Sequence, residues 1–217
     1  MEDTYKHKGL RKQLVAEIKS KGIKDERVIE AIGKIPRHFF FDGIFDVHAY
    51  EDKAFPIAAG QTISQPYTVA FQTELLQIEN GHRILEIGTG SGYQAAVLME
   101  LGADVYTIEY QKALYQKAIR FIPSLGYQPH MYHGDGSKGL ARFAPYDGII
   151  VTAGAPAVPD VLIQQLKVGG RLVIPVGDDK KQSMVLIRKI SEQEVVKKDY
   201  NHFSFVPLLG KHGWSVK

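Results

Sequence analysis

The sequence predicts an α/β fold: a doubly wound, mostly parallel sheet with an N-terminal helical extension and antiparallel C-terminal strands. Three observations lead there. Ile84, Leu85 and Ile87 form a short apolar run of the kind that fills a buried parallel strand. The run ends in Gly88, Gly90 and Gly92, which permit a tight turn with exposed backbone. Residues 93–101 then carry Ala95, Ala96, Val97, Leu98, Met99 and Leu101, a helix-forming series. A second strand over 104–109 ends in Glu109, about twenty residues past the turn, where an acid in nucleoside-binding folds accepts hydrogen bonds from ribose hydroxyls.

Length and composition set the frame. A chain of 217 residues accommodates one α/β domain with a decoration, so residues 1–217 are read as a single domain. About 1–55 form a helical prefix and about 80–217 the ligand-binding sheet. Hydrophobic content of 44% with 24% charged residues is that of a globular protein and excludes global disorder. A net charge of +3 is far from the concentrated basic stripe of a nucleic-acid binder, so no nucleic-acid partner is expected. Zero cysteines exclude disulfides, thiolate metal sites and a cysteine nucleophile. The first eight residues are charged without an apolar core, and no run approaches the roughly 18 apolar residues of a membrane span. The expectation is a cytoplasmic monomer with no membrane partner.

Leu10, Leu14, Val15 and Ile18 share one face of a first helix that Gly22 ends. Asp25 offers an N-cap to a second helix carrying Val28, Ile29 and Ile32, which Gly33 and Pro36 stop. These helices either cover the core or roof the site. Residues 37–52 hold Phe39, Phe40, Phe41, Phe45 and Tyr50, an aromatic group suited to packing, with little basic character beyond Arg37 to hold a phosphate backbone. His130 and His133 lack the partners of a metal site, and no metal is expected. After Glu109, Leu114, Ala118 and Ile119 mark a crossover helix ending near Pro123. Strands follow at 128–133 and 146–152, a helix at 159–166 stopped by Gly169 and Gly170, a strand at 171–176, and two further strands near 184–190 and 195–206.

The glycine spacing distinguishes ligands. A dinucleotide fingerprint needs Gly-x-Gly-x-x-Gly, but position 93 is tyrosine, so the pattern is Glu86-x-Gly-x-Gly-x-Gly. An acid at the strand end repels pyrophosphate and attracts a cationic ligand. With Glu109, the pattern resembles the adenosylmethionine-binding motif of Rossmann-like class I methyltransferases. In such a sheet ligands bind beyond the carboxyl ends of the strands, which is where Asp135 and Gly136 fall. Asp135 there is either an acceptor for the adenine amino group or simply part of a Gly-Asp-Gly turn.

A second informative stretch is the polar loop from Gln61 through Thr62, Ile63, Ser64 and Gln65 to Pro66 and Tyr67. Pro66 disfavours helix at Gln65, so Ser64 sits on a loop just before a helix over 68–76, and Ser64 or Thr68 could cap it. This loop, the motif 85–94, His133-Gly134-Asp135-Gly136, the stretches 146–153 and 172–177, and Phe205-Val206-Pro207-Leu208 together resemble the bacterial protein-L-isoaspartate O-methyltransferase family, over roughly residues 10–209.

The resemblance implies methyl transfer from S-adenosylmethionine to the α-carboxylate of L-isoaspartyl residues in proteins and peptides. It implies Ser64 as the catalytic carboxylate-holding group. Gln61, Thr62, Ile63, Thr152 and Ala153 would bind substrate with it, and Glu86, Gly88, Gly90, Gly92, Glu109, Asp135 and Gly136 the cofactor. Leu209 stands where some family members carry a threonine. A class I methyltransferase acting on RNA or a small metabolite would share the cofactor half. The stretch Val151-Thr152-Ala153-Gly154 lacks the Pro-Pro-Tyr motif of many nucleic-acid amino methyltransferases. A binding module without catalysis is the third possibility on fold alone.

Overall fold

The computed structural model describes residues 2–41, 48–178 and 180–215. Phe45 lies outside them. The prefix is two helices, α1 (Tyr5–Ser20) and α2 (Glu26–Lys34). The Thr4 hydroxyl caps the first and the Asp25 carboxylate the second, each satisfying an orphan backbone N–H. Leu14 and Ile18 face Val28, Ile29 and Ile32 in a shared cluster. Gly33 lies inside α2 instead of stopping it. The helix ends at Lys34, before Ile35, the extended residue that Pro36 bars from helical geometry, and the Gly33 carbonyl accepts a bond from Arg11 Nε at 2.7 Å.

Residues 37–40 form a short 3-10 helix, and then β1 (Phe55–Pro56) pairs antiparallel with β2 (Thr62–Ile63). Helix α3 (Pro66–Leu76) begins at once. Its N-cap is Gln65, whose own side chain makes no capping bond, so neither Ser64 nor Thr68 serves as the cap. Pro66 at the first helical position has no N–H to satisfy, and the Tyr67 N–H that follows donates to the Asp52 carboxylate at 2.7 Å. From there the chain alternates: β3 (Arg83–Ile87), α4 (Tyr93–Glu100), β4 (Asp104–Glu109), α5 (Lys112–Ser124), β5 (His130–His133), β6 (Tyr146–Val151) and α6 (Asp160–Gln164). Three long strands follow, β7 (Leu166–Gly177), β8 (Gln182–Lys189) and β9 (Val195–Phe203).

The glycine pair at 169 and 170 does not separate helix from strand as expected. Helix α6 ends earlier, at Gln164, and β7 runs through both glycines. A Cβ at Gly170 would lie 3.1 Å from the carbonyl oxygens of Tyr146 and Asp147, so glycine here allows one backbone to approach another within the sheet.

The strand order is β5-β4-β3-β6-β7-β8-β9. The first five are parallel, and β8 and β9 fold back antiparallel as a meander. Strand parity divides the core. Ile84, Val105, Ile150 and Val173 face Leu76 of α3 and Ala95 and Leu98 of α4, while Leu85, Ile87, Ile149, Val151 and Leu172 face Leu162 of α6. The chain winds outward from β3 through β4 to β5, then returns to place β6 on the other side of β3. The carboxyl ends of β3 and β6 therefore meet at a topological switch point, where open α/β sheets bind ligands.

Candidate functional site

A cleft opens at that switch point. Its floor is the turn after β3. Gly88, Gly90 and Gly92 have φ of 99°, 53° and 85°, a region that L side chains rarely adopt. At Gly88 a side chain would also collide with the Thr152 hydroxyl. That hydroxyl, one residue past β6, shares its one proton between the Gly88 carbonyl at 2.7 Å and the Ile87 carbonyl at 3.0 Å, and the Thr152 N–H donates to Ile87 at 3.0 Å. The loop after β6 is thus locked to the glycine turn.

Glu109 stands opposite at the end of β4. One carboxylate oxygen accepts the Gly90 N–H at 2.8 Å and the other the Gln111 N–H at 2.8 Å. Each oxygen retains acceptor capacity toward the cleft, the arrangement that a pair of ribose hydroxyl donors requires. Among the described residues no lysine or arginine lines this cleft, and Glu109 is its only charged wall. The donor set suits a neutral or cationic nucleoside and disfavours a pyrophosphate.

Across the cleft lie Gln61, Thr62, Ile63 and Ser64 of the β2 loop, with Ala153 beside Thr152 and Gly136 at the end of β5. No described residue hydrogen-bonds the Ser64 hydroxyl, whereas its carbonyl accepts Arg37 Nη2 at 2.8 Å. Ten of the thirteen residues expected at the site (Gln61, Thr62, Ile63, Ser64, Gly88, Gly90, Glu109, Gly136, Thr152 and Ala153) therefore share one wall-to-wall cleft.

Glu86, Gly92 and Asp135 are not on its wall. Glu86 shares its strand face with Ile84, and its carboxylate accepts Thr107 Oγ1 at 2.6 Å from the paired position on β4. Thr107 in turn meets Thr89 Oγ1 at 2.6 Å. Complete burial, reinforced by the charge of Glu109 and opposed by the Thr107 bond, pushes the Glu86 carboxyl up to about 8. Gly92 instead gives way to Ile122 of α5, which a Cβ there would strike. Asp135 accepts the Ser137 N–H and hydroxyl on one oxygen and the Lys211 N–H, at 2.9 Å, on the other. Burial works against its ionisation, but these bonds and the Lys138 charge bring its pKa below the ordinary carboxylate value.

The Lys211 contact belongs to a strap over residues 204–215 that roofs the cleft. Leu208 N–H and Trp214 Nε1 both donate to the Gly154 carbonyl, at 2.8 and 3.0 Å, and the Gly154 N–H donates to Val206. Val206, Pro207, Leu208 and Leu209 line the cleft. Sequence reasoning also missed Tyr93 and Gln94 at the start of α4 and Tyr110 and Gln111 after Glu109. The last two were within reach, being the residues that follow the ribose-side acid. Among the described residues Asp3, His7 and His38 form a cluster spaced for a metal ion. Arg11 already forks onto both Asp3 oxygens at 3.0 and 2.9 Å, and His38 Nδ1 is 2.7 Å from the Tyr50 hydroxyl.

A parallel sheet, a glycine turn at its switch point and an acid closing the next strand define a Rossmann-like methyltransferase fold. A Plasmodium falciparum structure in complex with S-adenosyl-L-homocysteine shares it, with a TM-score of 0.77 at 24% identity, over 92% of this chain and 98% of that one. The family model described as Protein-L-isoaspartate(D-aspartate) O-methyltransferase (PCMT) matches residues 9–213, and the chain belongs to that family. It is similar to the protein-L-isoaspartate O-methyltransferase of Cytophaga hutchinsonii, 58% identical over 100% of this chain and 98% of that protein. The enzyme of the same name from Christiangramia forsetii is 61% identical over 96% of this chain and 98% of its own length. A solved protein-L-isoaspartate O-methyltransferase superposes with a TM-score of 0.80 at 30% identity, over 93% of this chain and 66% of the longer chain.

Proposed function

We propose that this chain transfers a methyl group from S-adenosylmethionine to the α-carboxylate of L-isoaspartyl residues in damaged proteins and peptides, the step that initiates their repair. The observation that carries the reading is that a hydroxyl free of described partners, Ser64, shares one cleft with the glycine turn and Glu109. The names of relatives covered almost end to end support it.

The chemistry asks little of the protein beyond placement. A carboxyl group with a pKa of roughly 4 is ionised at neutral pH, so no general base is needed. The cofactor, when bound, supplies an electrophilic methyl on a sulfonium. Ser64 donates one neutral hydrogen bond that orients the carboxylate without over-stabilising it in the ground state, as an arginine would. Gln61, Thr62 and Ile63 line the same pocket, and Thr152 and Ala153 meet the substrate backbone. Gly88 and Gly90 allow close backbone approach to the cofactor, while Gly92 completes the turn against Ile122. Glu109 accepts from the ribose, Asp135 and Gly136 stand on the adenine side, and Glu86 supports the turn through Thr107 and Thr89.

The protein is taken to work as a cytoplasmic monomer on protein and peptide substrates, without nucleic acid or membrane. No helix of the described residues is long and apolar enough to cross a membrane. The test is incubation with labelled S-adenosylmethionine and paired peptides carrying aspartyl or L-isoaspartyl at one position, with RNA as control. Base-labile label on the isoaspartyl peptide alone is the expected result, and label on RNA alone overturns the reading.

A further inference from the structure

Arg37 stands in the sequence as a lone base among phenylalanines, yet its side chain is buried to 1% exposure. Burying a guanidinium is costly, and an apolar side chain of similar length would fill the space more cheaply. Its bonds show what the charge is used for. Nε donates to the Ala49 carbonyl at 3.0 Å and Nη2 to the Ser64 carbonyl at 2.8 Å. The guanidinium carbon lies 4.5 Å from the centroid of the Tyr93 ring and 5.4 Å from that of Phe41. Tyr93 is the first residue of α4, directly after the glycine turn, and it lines the cleft.

A second charge holds the same loop from its other end. The Asp52 side chain is 2% exposed and accepts the Tyr67 N–H at 2.7 Å, Gln65 Nε2 at 3.0 Å and Lys21 Nζ at 2.6 Å. The peptide groups on both sides of Gln65-Pro66 are therefore tethered to fixed charges. Holding the Ser64 carbonyl fixes the peptide plane that follows Ser64 and restricts where its side chain points.

We infer that Arg37 is a positioning residue for the methyl transfer: its guanidinium, forked between Ala49 and Ser64 and lying over the Tyr93 ring, sets Ser64 at a fixed place relative to the turn that presents the cofactor. This rests on Ser64 being the carboxylate donor proposed above. The task calls for arginine. A planar fork makes two in-plane bonds while its face rests on an aromatic ring, whereas an ammonium is a point charge that cannot do both. Burial pushes the Arg37 pKa down to about 10, which leaves it cationic at neutral pH.

The experiment compares Arg37→Lys, Arg37→Ala and Ser64→Ala by steady-state kinetics on an isoaspartyl peptide, by calorimetric adenosylmethionine binding and by thermal melting. Activity of the parent protein on that peptide is established first; its absence would fail the functional reading and not the positioning role. Arg37→Lys is expected to fold and to lose kcat roughly 10- to 100-fold, with cofactor affinity within a few-fold. Millimolar guanidinium should restore part of the activity of Arg37→Ala. In the cycle, Arg37→Lys should cost little further in a Ser64→Ala background, since both act through one hydroxyl. Additive losses, or an Arg37→Lys protein with parental kcat, overturn the inference. Failure of both Arg37 variants to fold overturns it too, because the guanidinium would then serve the fold and not the placement of Ser64.

Discussion

The Thr152 hydroxyl donates to the Gly88 carbonyl at 2.7 Å, closing the gap where β3 and β6 diverge. Replacing Thr152 by valine keeps the shape and strands that carbonyl, so stability should fall by about 1 kcal/mol while Thr152→Ser remains near parental. Gly88→Ala should cost more, roughly 2 kcal/mol or above, since it adds strain at positive φ to a collision with this hydroxyl. Urea titrations of the three variants measure both effects.

Ser64→Ala should lower kcat on an isoaspartyl peptide by roughly 10- to 100-fold and leave adenosylmethionine affinity within about twofold. Parallel calorimetry and turnover measurements separate the two quantities, and full activity in the variant would remove Ser64 from its proposed role.

Glu109→Ala should do the reverse. It removes the acceptors facing the cleft and leaves the Gly90 and Gln111 N–H groups without their partner. Adenosylmethionine should bind roughly tenfold to a hundredfold more weakly, the cost of losing charge-assisted hydrogen bonds. An unchanged dissociation constant by calorimetry would place the ribose elsewhere.

The buried Glu86 gives a pH signature. Its carboxyl is raised to about 8 in the fold against an ordinary value of 4.5. Between these limits the native state holds a proton that the unfolded chain has released, so this group's stabilising contribution is complete below about 4.5 and declines as pH rises toward 8. Glu86→Gln abolishes that dependence. The stability of the variant relative to the parent should increase from pH 5 to pH 8, as read from denaturant unfolding of the ligand-free protein.

What could be read from the chain beforehand was what neighbouring residues decide among themselves. The run 84–87, the glycine turn and Glu109 form one contiguous unit, and the α/β order follows from it. Glu86 shows where local reading ends. The pattern places an acid at the strand end, but whether it meets the cleft or the helices depends on strand parity relative to α4, and here the carboxylate turns inward to Thr107. The roofing by residues 206–209 and the burial of Arg37 depend on contacts far along the chain. The glycines at 169 and 170 have the composition of a helix stop, yet Gly170 serves a close approach to β6 that only the folded sheet reveals.

Helix α3 and strand β3 together carry the chain from the Ser64 loop down to the base of the sheet and back up to the glycine turn. Eleven helical residues at about 1.5 Å each descend roughly 16 Å, and five strand residues at about 3.3 Å each climb nearly the same distance. The Gln72 side chain pins the descending limb to the Val151 carbonyl at 2.9 Å. A single deletion within α3 would turn the Ser64 loop through about 100° and draw it back by one residue's rise. In the natural variation of this lineage, insertions and deletions are expected to collect in the outer turns of the meander and to spare residues 66–92.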